Sequence, residues 1–553
     1  MRAVASQYTH THITRARAHD THTRACIHTR MSSLHGRSAC PYVLTAWARC
    51  RYYQGWILSG AGDPLTLGLV QSVEQGRLVI SDMRCEVNNG TGAEWKSGGN
   101  FSWYGAPFVW GTLHNFGGVL GMWGSLPELN SDPLDAFMNA ESIAGIGMFP
   151  EGINQNPVYY SFLFDTNWLS ASSPASRSSH SVSTTLFDLD HWYDRYAIER
   201  YGYGPHSDAA RAAWNELASS VYAANQGEHP PWGGGNYRMS ASDALTAYPY
   251  GEEPYNDGGP SLVPDWYNTT SIWEAWALMI TAAEHWEQGL LPSTMNYDLV
   301  NIGREALAKL SNAVLRSLEN ARRVDELEVE AAKMLGLQLD ADRLLCSDRG
   351  FVAGMWIQEA RAWGTGDEGE ERYYEWAARV QVRMPVSGLV SPINKYYVCV
   401  PVCASCSLQR GFQPVRSGQR RTLQRASVVA ALLLLITGTH EAPPPSCTQQ
   451  RLLYRSLVMS SVSFSNKQWG GLVGSYYTGR YRCYTDLAKV AFAQDPPQTV
   501  NFSAYSACID DWSWDWQHDY EGQKYPICWQ PVGSALAISR ELLGRYAPHS
   551  SKP

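Results

Sequence analysis

The chain is 553 residues long, with a net charge of −8 and only 17% charged side chains. That length can hold two or more domains with large cores. The weak acidic balance argues against nucleic acid as the main partner, because phosphate recognition needs a basic face. Aromatic residues make up 12%, including 22 Trp and 31 Tyr, a surplus that suits either a helical core or stacking on the apolar faces of sugar rings.

Residues 1–40 do not read as folded structure. Thr9–Arg30 is a short-period Thr/His/Arg repeat. A His-rich tract can bind metal, but the preferred reading is a disordered or artefactual leader, with Met31 as a true or alternative start. No clean signal peptide is visible, and no run of 18 apolar residues spans a membrane.

From residue 41 to 169 the pattern becomes globular. GRLVISDM (Gly76–Met83) reads as a buried strand with Asp82 at its C-terminal end. Two further apolar runs, Phe108–Leu113 and Ile143–Phe149, are each broken by Gly, His, Asn or Pro, as short buried strands ending in polar turns are. The turns are LHNFGG (Leu113–Gly118) and MFPEGINQN (Met148–Asn156), the second holding Glu151. Helix-sized gaps separate the strands, which predicts βα units and a parallel sheet. In such a barrel the chemistry sits at the C-terminal ends of the strands. Glu86 and Glu141 are read as solvated loop residues.

Residues 170–185 form a Ser-rich linker, and 186–395 read as helix after helix. Asp188 and Ser207 are placed as N-caps, with Leu189, Trp192, Tyr193 and Tyr196 on one face and Ala210, Trp214, Leu217 and Val221 on another. Further helices are expected in WYNTTSIWEAWALMI, YDLVNIGREALAKL, VDELEVEAAKMLGLQLDADRLL and FVAGMWIQEARAW. The pattern fails over 396–463, with clustered Cys399, Cys403 and Cys406, an apolar run Val428–Ile436 too short for a bilayer, and Pro443–Pro445. The cysteine cluster lacks a second ligand pair for zinc, so this segment is read as a foreign, disordered insertion and no metal or cofactor is assigned. The helical pattern resumes over 464–553 and closes with Val532–Tyr546.

PFVWGTLHNFGG followed by GIGMFPEGINQNPVYY resembles the α-N-acetylglucosaminidase family (glycoside hydrolase family 89). YYQGWILSG, WYN…EAW and SNKQWGGLVGSYY are similar to further segments of that family. The resemblance implies the C-terminal part of a (β/α)8 barrel followed by an all-helical domain, and a retaining glycosidase acting on terminal α-linked N-acetylglucosamine. It maps the nucleophile onto Glu151 and places Trp56 in the substrate pocket, with Leu113 and Phe116 as apolar walls. His114 and Asn115 either hydrogen-bond the substrate or fix the turn, the second being preferred. Asp82 is read as a pocket-facing residue, more as a hydrogen-bonding support than as an acid. The family's acid/base Glu lies upstream of the QGW segment, and residues 1–50 contain no Glu. The acid/base is therefore counted as missing and the chain expected to be inactive and poorly soluble as written. The family's Trp and Tyr before the NKQ run also have no match, Phe464 standing in the Tyr position. The alternatives are a catalytically dead glycan-binding remnant or an unrelated helical-toroid enzyme. The expected partner is a glycan, with no nucleic acid and no membrane span. Sequons at Asn89, Asn100, Asn268 and Asn501 fit a lysosomal, vacuolar or secreted route.

Overall fold

The computed structural model describes residues 64–86, 95, 103–112, 114, 121–150, 156–169, 186–223, 244–246, 249, 267–286, 291–381 and 467–548, apart from 75, 84 and 521. Trp56, Leu113, Asn115, Phe116, Glu151, Asn89 and Asn100 lie outside these residues, as do the leader, the Ser-rich linker and the foreign segment.

A helix α1 (Pro64–Ser72) precedes three short parallel strands in the order β1 (Ile80–Asp82), β2 (Phe108–Thr112) and β3 (Ile143–Met148). Ile80 pairs with Phe108 and Asp82 with Trp110; Thr112 pairs with Met148. The three apolar runs thus fold as the sequence pattern predicts. Phe108 and Trp110 are buried on one side of β2. A Cβ on Gly111 would lie 2.3 Å from the Phe149 ring and 2.6 Å from the Asp82 carbonyl oxygen, so glycine alone lets the strand ends approach this closely.

A helix fills the gap between β2 and β3. α2 (Leu126–Asn139) joins β2 to β3, and α3 (Pro157–Leu169) follows β3. α2 starts where Ser125 Oγ accepts from the Glu128 amide at 3.3 Å, with Pro127 in the first turn, where its missing N–H costs nothing. Strand, helix, strand, helix in a parallel sheet is the alternation of a (β/α) barrel.

Beyond Leu186 the described chain is helical. α4 (Leu189–Tyr201) is capped by Asp188 and stops at Gly202, whose φ is 84°. α5 (Ser207–Ala218) departs from expectation at its start. Ser207 is inside the helix, and its hydroxyl accepts from the Gly204 amide at 2.9 Å instead of capping. α6 (Thr270–Ala283), α7 (Ser293–Asn320), α8 (Val324–Leu345), α9 (Ala353–Arg361) and α10 (Glu368–Gln381) follow. After the undescribed segment come a π-helical turn (Val473–Tyr477), α11 (Thr478–Phe492), α12 (Phe502–Gln517) and α13 (Ala535–Tyr546).

One continuous apolar cluster runs from Phe108 and Trp110 through Phe162, Trp192, Trp214 and Trp276 to Leu344. Strands and helices therefore share a core. Buried polar links reinforce it. Asp298 on α7 is 2% exposed and takes a bidentate contact from Arg200 and a 2.7 Å hydrogen bond from the Tyr201 hydroxyl, tying α4 to α7. Two disulfides, Cys346–Cys528 and Cys483–Cys508, staple the helical part.

Candidate active site

Parallel pairing brings the C-terminal ends of the three strands side by side. β1 ends on Asp82, whose carboxylate is 3% exposed and accepts from Trp103 Nε1 at 3.2 Å. A carboxylate buried this deeply needs such a donor, and the indole identifies Asp82 as a held group. The chain then turns back, with the Cys85 amide donating to the Gly111 carbonyl at 2.9 Å.

β2 leads into His114, a non-glycine residue at φ 55° and fully buried. Its ring is stacked between Tyr159 (centroids 3.8 Å apart, 11°) and Trp123 (4.6 Å, 18°). Its backbone N–H donates to Glu86 Oε1 at 2.7 Å. Glu86 is thus not the solvated loop residue expected from sequence. It turns inward because the left-handed backbone at His114 aims an amide at it, and a buried N–H requires an acceptor. Burial first, and the Glu86 charge second, push the Tyr159 and Tyr160 hydroxyls well above their ordinary pKa. Glu141 is exposed, as expected.

Asn156, the residue before α3, reaches the His114 ring. Asn156 Nδ2 donates to the Gly121 carbonyl at 2.9 Å, a group that can only accept, and its Oδ1 accepts from the Tyr222 hydroxyl at 3.0 Å. These two contacts orient the amide. Its remaining N–H then points at His114 Nε2, 2.9 Å away, so Nε2 must be the acceptor and the ring proton sits on Nδ1.

The segment Gly121–Ser125 lies between the strand ends and the helices. The Met122 amide donates to Glu305 Oε2 on α7 at 3.1 Å, and the Gly124 amide to the Val221 carbonyl at 3.1 Å. Glu305 is flanked by Arg304 Nη1 at 3.1 Å and Lys309 Nζ at 3.6 Å. Arg304 also donates to Gln468 Oε1, which brings the NKQ run beside this strap. Asn156 and Tyr159 were readable as members of the quoted GINQNPVYY stretch. Tyr222 and Glu305 carry no local signal, since their roles arise only when distant helices dock.

Asp342, Cys346 and Cys528 are the one group among the described residues close enough to share a metal. Both sulfurs are spent in the Cys346–Cys528 disulfide. No described helix is long and apolar enough to cross a membrane.

The family model described as "Alpha-N-acetylglucosaminidase (NAGLU) tim-barrel domain" matches residues 13–170. The "Alpha-N-acetylglucosaminidase (NAGLU) C-terminal domain" matches 192–396 and 462–545, skipping most of the segment that broke the helical pattern. The human alpha-N-acetylglucosaminidase is 30% identical over 357 residues, covering 62% of this chain and 42% of the human one. A family 89 glycoside hydrolase from Clostridium perfringens, solved in complex with PUGNAc, superposes with a TM-score of 0.58 at 18% identity, over 87% of this chain and 43% of the bacterial one. The same bacterial fold, solved with its substrate GlcNAc-alpha-1,4-galactose, gives the same TM-score and coverage. The chain thus spans less than half the length of the relatives it matches. With the parallel strand ends, the helical part behind them and the two domain matches in their order along the sequence, the chain belongs to the alpha-N-acetylglucosaminidase family.

Proposed function

We propose that this chain belongs to a glycosidase that releases terminal α-linked N-acetylglucosamine with retention of configuration, and that Glu151 is its nucleophile. The observation that carries the reading is the register of the sheet. It pairs Asp82 with Trp110 and Thr112 with Met148, so the strands that precede the LHN and PEG segments in sequence end side by side. In a retaining mechanism one carboxylate attacks the anomeric carbon while a second, about 5–5.5 Å away, protonates the leaving oxygen and later activates water. Glu151 takes the first role. Trp56, Leu113 and Phe116 would wall the sugar and its acetamide, with Asn115 as a polar contact.

We assign no described carboxylate to the second role. Asp82 is engaged by Trp103 and Glu86 by the His114 amide, and an acid catalyst must keep its proton free for the leaving group. The chain by itself is therefore proposed to hold the sugar without turning it over, which keeps the glycan-binding remnant as the second reading. Assaying the purified chain on an aryl α-N-acetylglucosaminide decides between them. Binding of N-acetylglucosamine without release of the aryl group is expected. Turnover abolished by Glu151→Gln would establish the nucleophile and show that an acid is present after all.

The compartment proposed is lysosomal, vacuolar or extracellular. Two disulfides support an oxidising route, and the sequon residues Asn268 and Asn501 are exposed.

A further inference from the structure

Asp342 and Cys346 stand one turn apart at the C-terminal end of α8, and Cys528 reaches them from the loop between α12 and α13. One Asp342 oxygen and the two sulfurs lie within 4.8 Å of one another, and all three residues are half-buried. Asp342 Oδ1 is committed, accepting from the Gly471 and Gly474 amides at 2.7 and 2.8 Å. Oδ2 receives no N–H or O–H among the described residues and lies 3.7 Å from Cys346 Sγ. The glycines of GGLVG leave room for this meeting. A Cβ on Gly470 would lie 2.8 Å from Cys346 Sγ, and one on Gly474 would lie 2.8 Å from Asp342 Cγ.

We infer that Asp342, Cys346 and Cys528 form a redox-gated zinc site, closed as a disulfide under oxidising conditions and open to Zn2+ once the bridge is reduced. Geometry supports the ion. Tetrahedral zinc with ordinary bond lengths holds a sulfur and a carboxylate oxygen about 3.6 Å apart, and two sulfurs about 3.8 Å apart. The oxygen–sulfur edge is already present at 3.7 Å. The sulfur–sulfur edge forms when the covalent bond opens, and Cα atoms 6.0 Å apart keep the two thiols neighbours. The two glycine amides orient the carboxylate as hydrogen bonds behind a metal ligand do. Two thiolates and one carboxylate suit Zn2+, whereas Mg2+ and Ca2+ take oxygen donors. An external dithiol balances the reduction. Its two thiols become a disulfide as the Cys346–Cys528 bond takes up two electrons and two protons. Zn2+ then displaces the proton of each thiol, and water fills the fourth position. The site uses none of the residues assigned to the sugar and does not rest on the glycosidase reading.

The test uses the full chain, reduced with a phosphine, which passes oxygen from water to phosphorus, leaves two thiols and does not hold zinc. Excess reductant is removed without air. Bound Zn2+ is counted by elemental analysis, its affinity is read against a chromophoric chelator, and alkylation with peptide mapping reports which bridges opened. The reduced parent should hold one Zn2+ more than reduced Cys346→Ser, which keeps every other cysteine. Asp342→Asn keeps an acceptor for both glycines, so it keeps the test valid if Cys346→Ser does not fold; it should weaken the site more than about tenfold. Equal zinc in the reduced parent and Cys346→Ser would overturn the proposal, as would parent-like affinity in Asp342→Asn. It also fails if the phosphine does not open the Cys346–Cys528 bridge in the folded chain, or if the unreduced parent already holds a zinc that Asp342→Asn loses.

Discussion

At His114 three separate parts of the chain fix the backbone, the ring and the proton. Glu86 takes the amide, Trp123 and Tyr159 hold the ring, and Asn156 addresses Nε2. Replacing Asn156 by Ala leaves the Gly121 carbonyl, the Tyr222 hydroxyl and Nε2 unpaired in a buried setting. Such groups cost about 1–3 kcal/mol each, and partial relaxation should hold the total near 3 kcal/mol in urea unfolding. Tyr222→Phe removes only one donor and should cost about 1 kcal/mol. Nitrogen-15 NMR of labelled His114 should show the proton on Nδ1; a proton on Nε2 would mean that Asn156 is rotated. A second residue sets a pH dependence. Asp342 is half-buried on α8, and desolvation raises its pKa to about 6, although the Gly471 and Gly474 amides donating to Oδ1 pull it down. Because the folded value lies above the unfolded one, the native state binds the extra proton. Stability should therefore rise as pH falls through 6 and level off below about 4, by roughly 3 kcal/mol. Asp342→Asn keeps an acceptor for both glycines and should flatten that slope in denaturant titrations between pH 4 and 7.

Individual elements were legible wherever local pattern decided them. The three strands fell within the three apolar runs because a short buried strand between turn residues has few other ways to satisfy its backbone. α4 began and ended at its cap residues, Asp188 and Gly202, for the same reason. Ser207 was misplaced because a Ser can serve a nearby turn as readily as a helix start. Asn501 shows two roles in one side chain. Its Oδ1 caps α12 by accepting from the Ala504 amide at 3.0 Å, while Nδ2 is the atom a glycan would take. Asn501→Asp should keep the cap and abolish any glycan mass at this site, whereas Asn501→Ala should also lose about 1 kcal/mol. Mass spectrometry and thermal melts separate the two effects. The crossing of α6 and α7 is equally sensitive, since a Cβ on Gly303 would lie 2.4 Å from the Trp276 ring. Alanine there gains helix propensity of about 1 kcal/mol, yet Trp276 is fully buried and cannot yield. Gly303→Ala should be net destabilising by about 1–2 kcal/mol in the same melts.

Across the whole molecule, the fold class was readable and the wiring of the site was not. Periodicity reports which face of an element is apolar. It is silent on contacts such as Met122 to Glu305, which join residues 183 apart in sequence. The disulfide pairing was hidden for the same reason, because twelve scattered cysteines do not declare their partners. The two bridges close loops of different size, 182 residues for Cys346–Cys528 and 25 for Cys483–Cys508. On loop-entropy grounds the first contributes about 5 kcal/mol and the second about 3.5 kcal/mol. Serine pairs at each bridge, compared by urea unfolding, should show the larger loss at Cys346 and Cys528.

Tyr222 and Glu305 give the helical part a tenancy in the strand ends. A gene fragment stopping before Leu186 would encode all three strands, yet Asn156 would lack its hydroxyl partner and Met122 its carboxylate. Swapping the helices for another module would have to replace both anchors in a single step. Recombination at that boundary is therefore penalised, and the two halves are expected to be inherited as one piece.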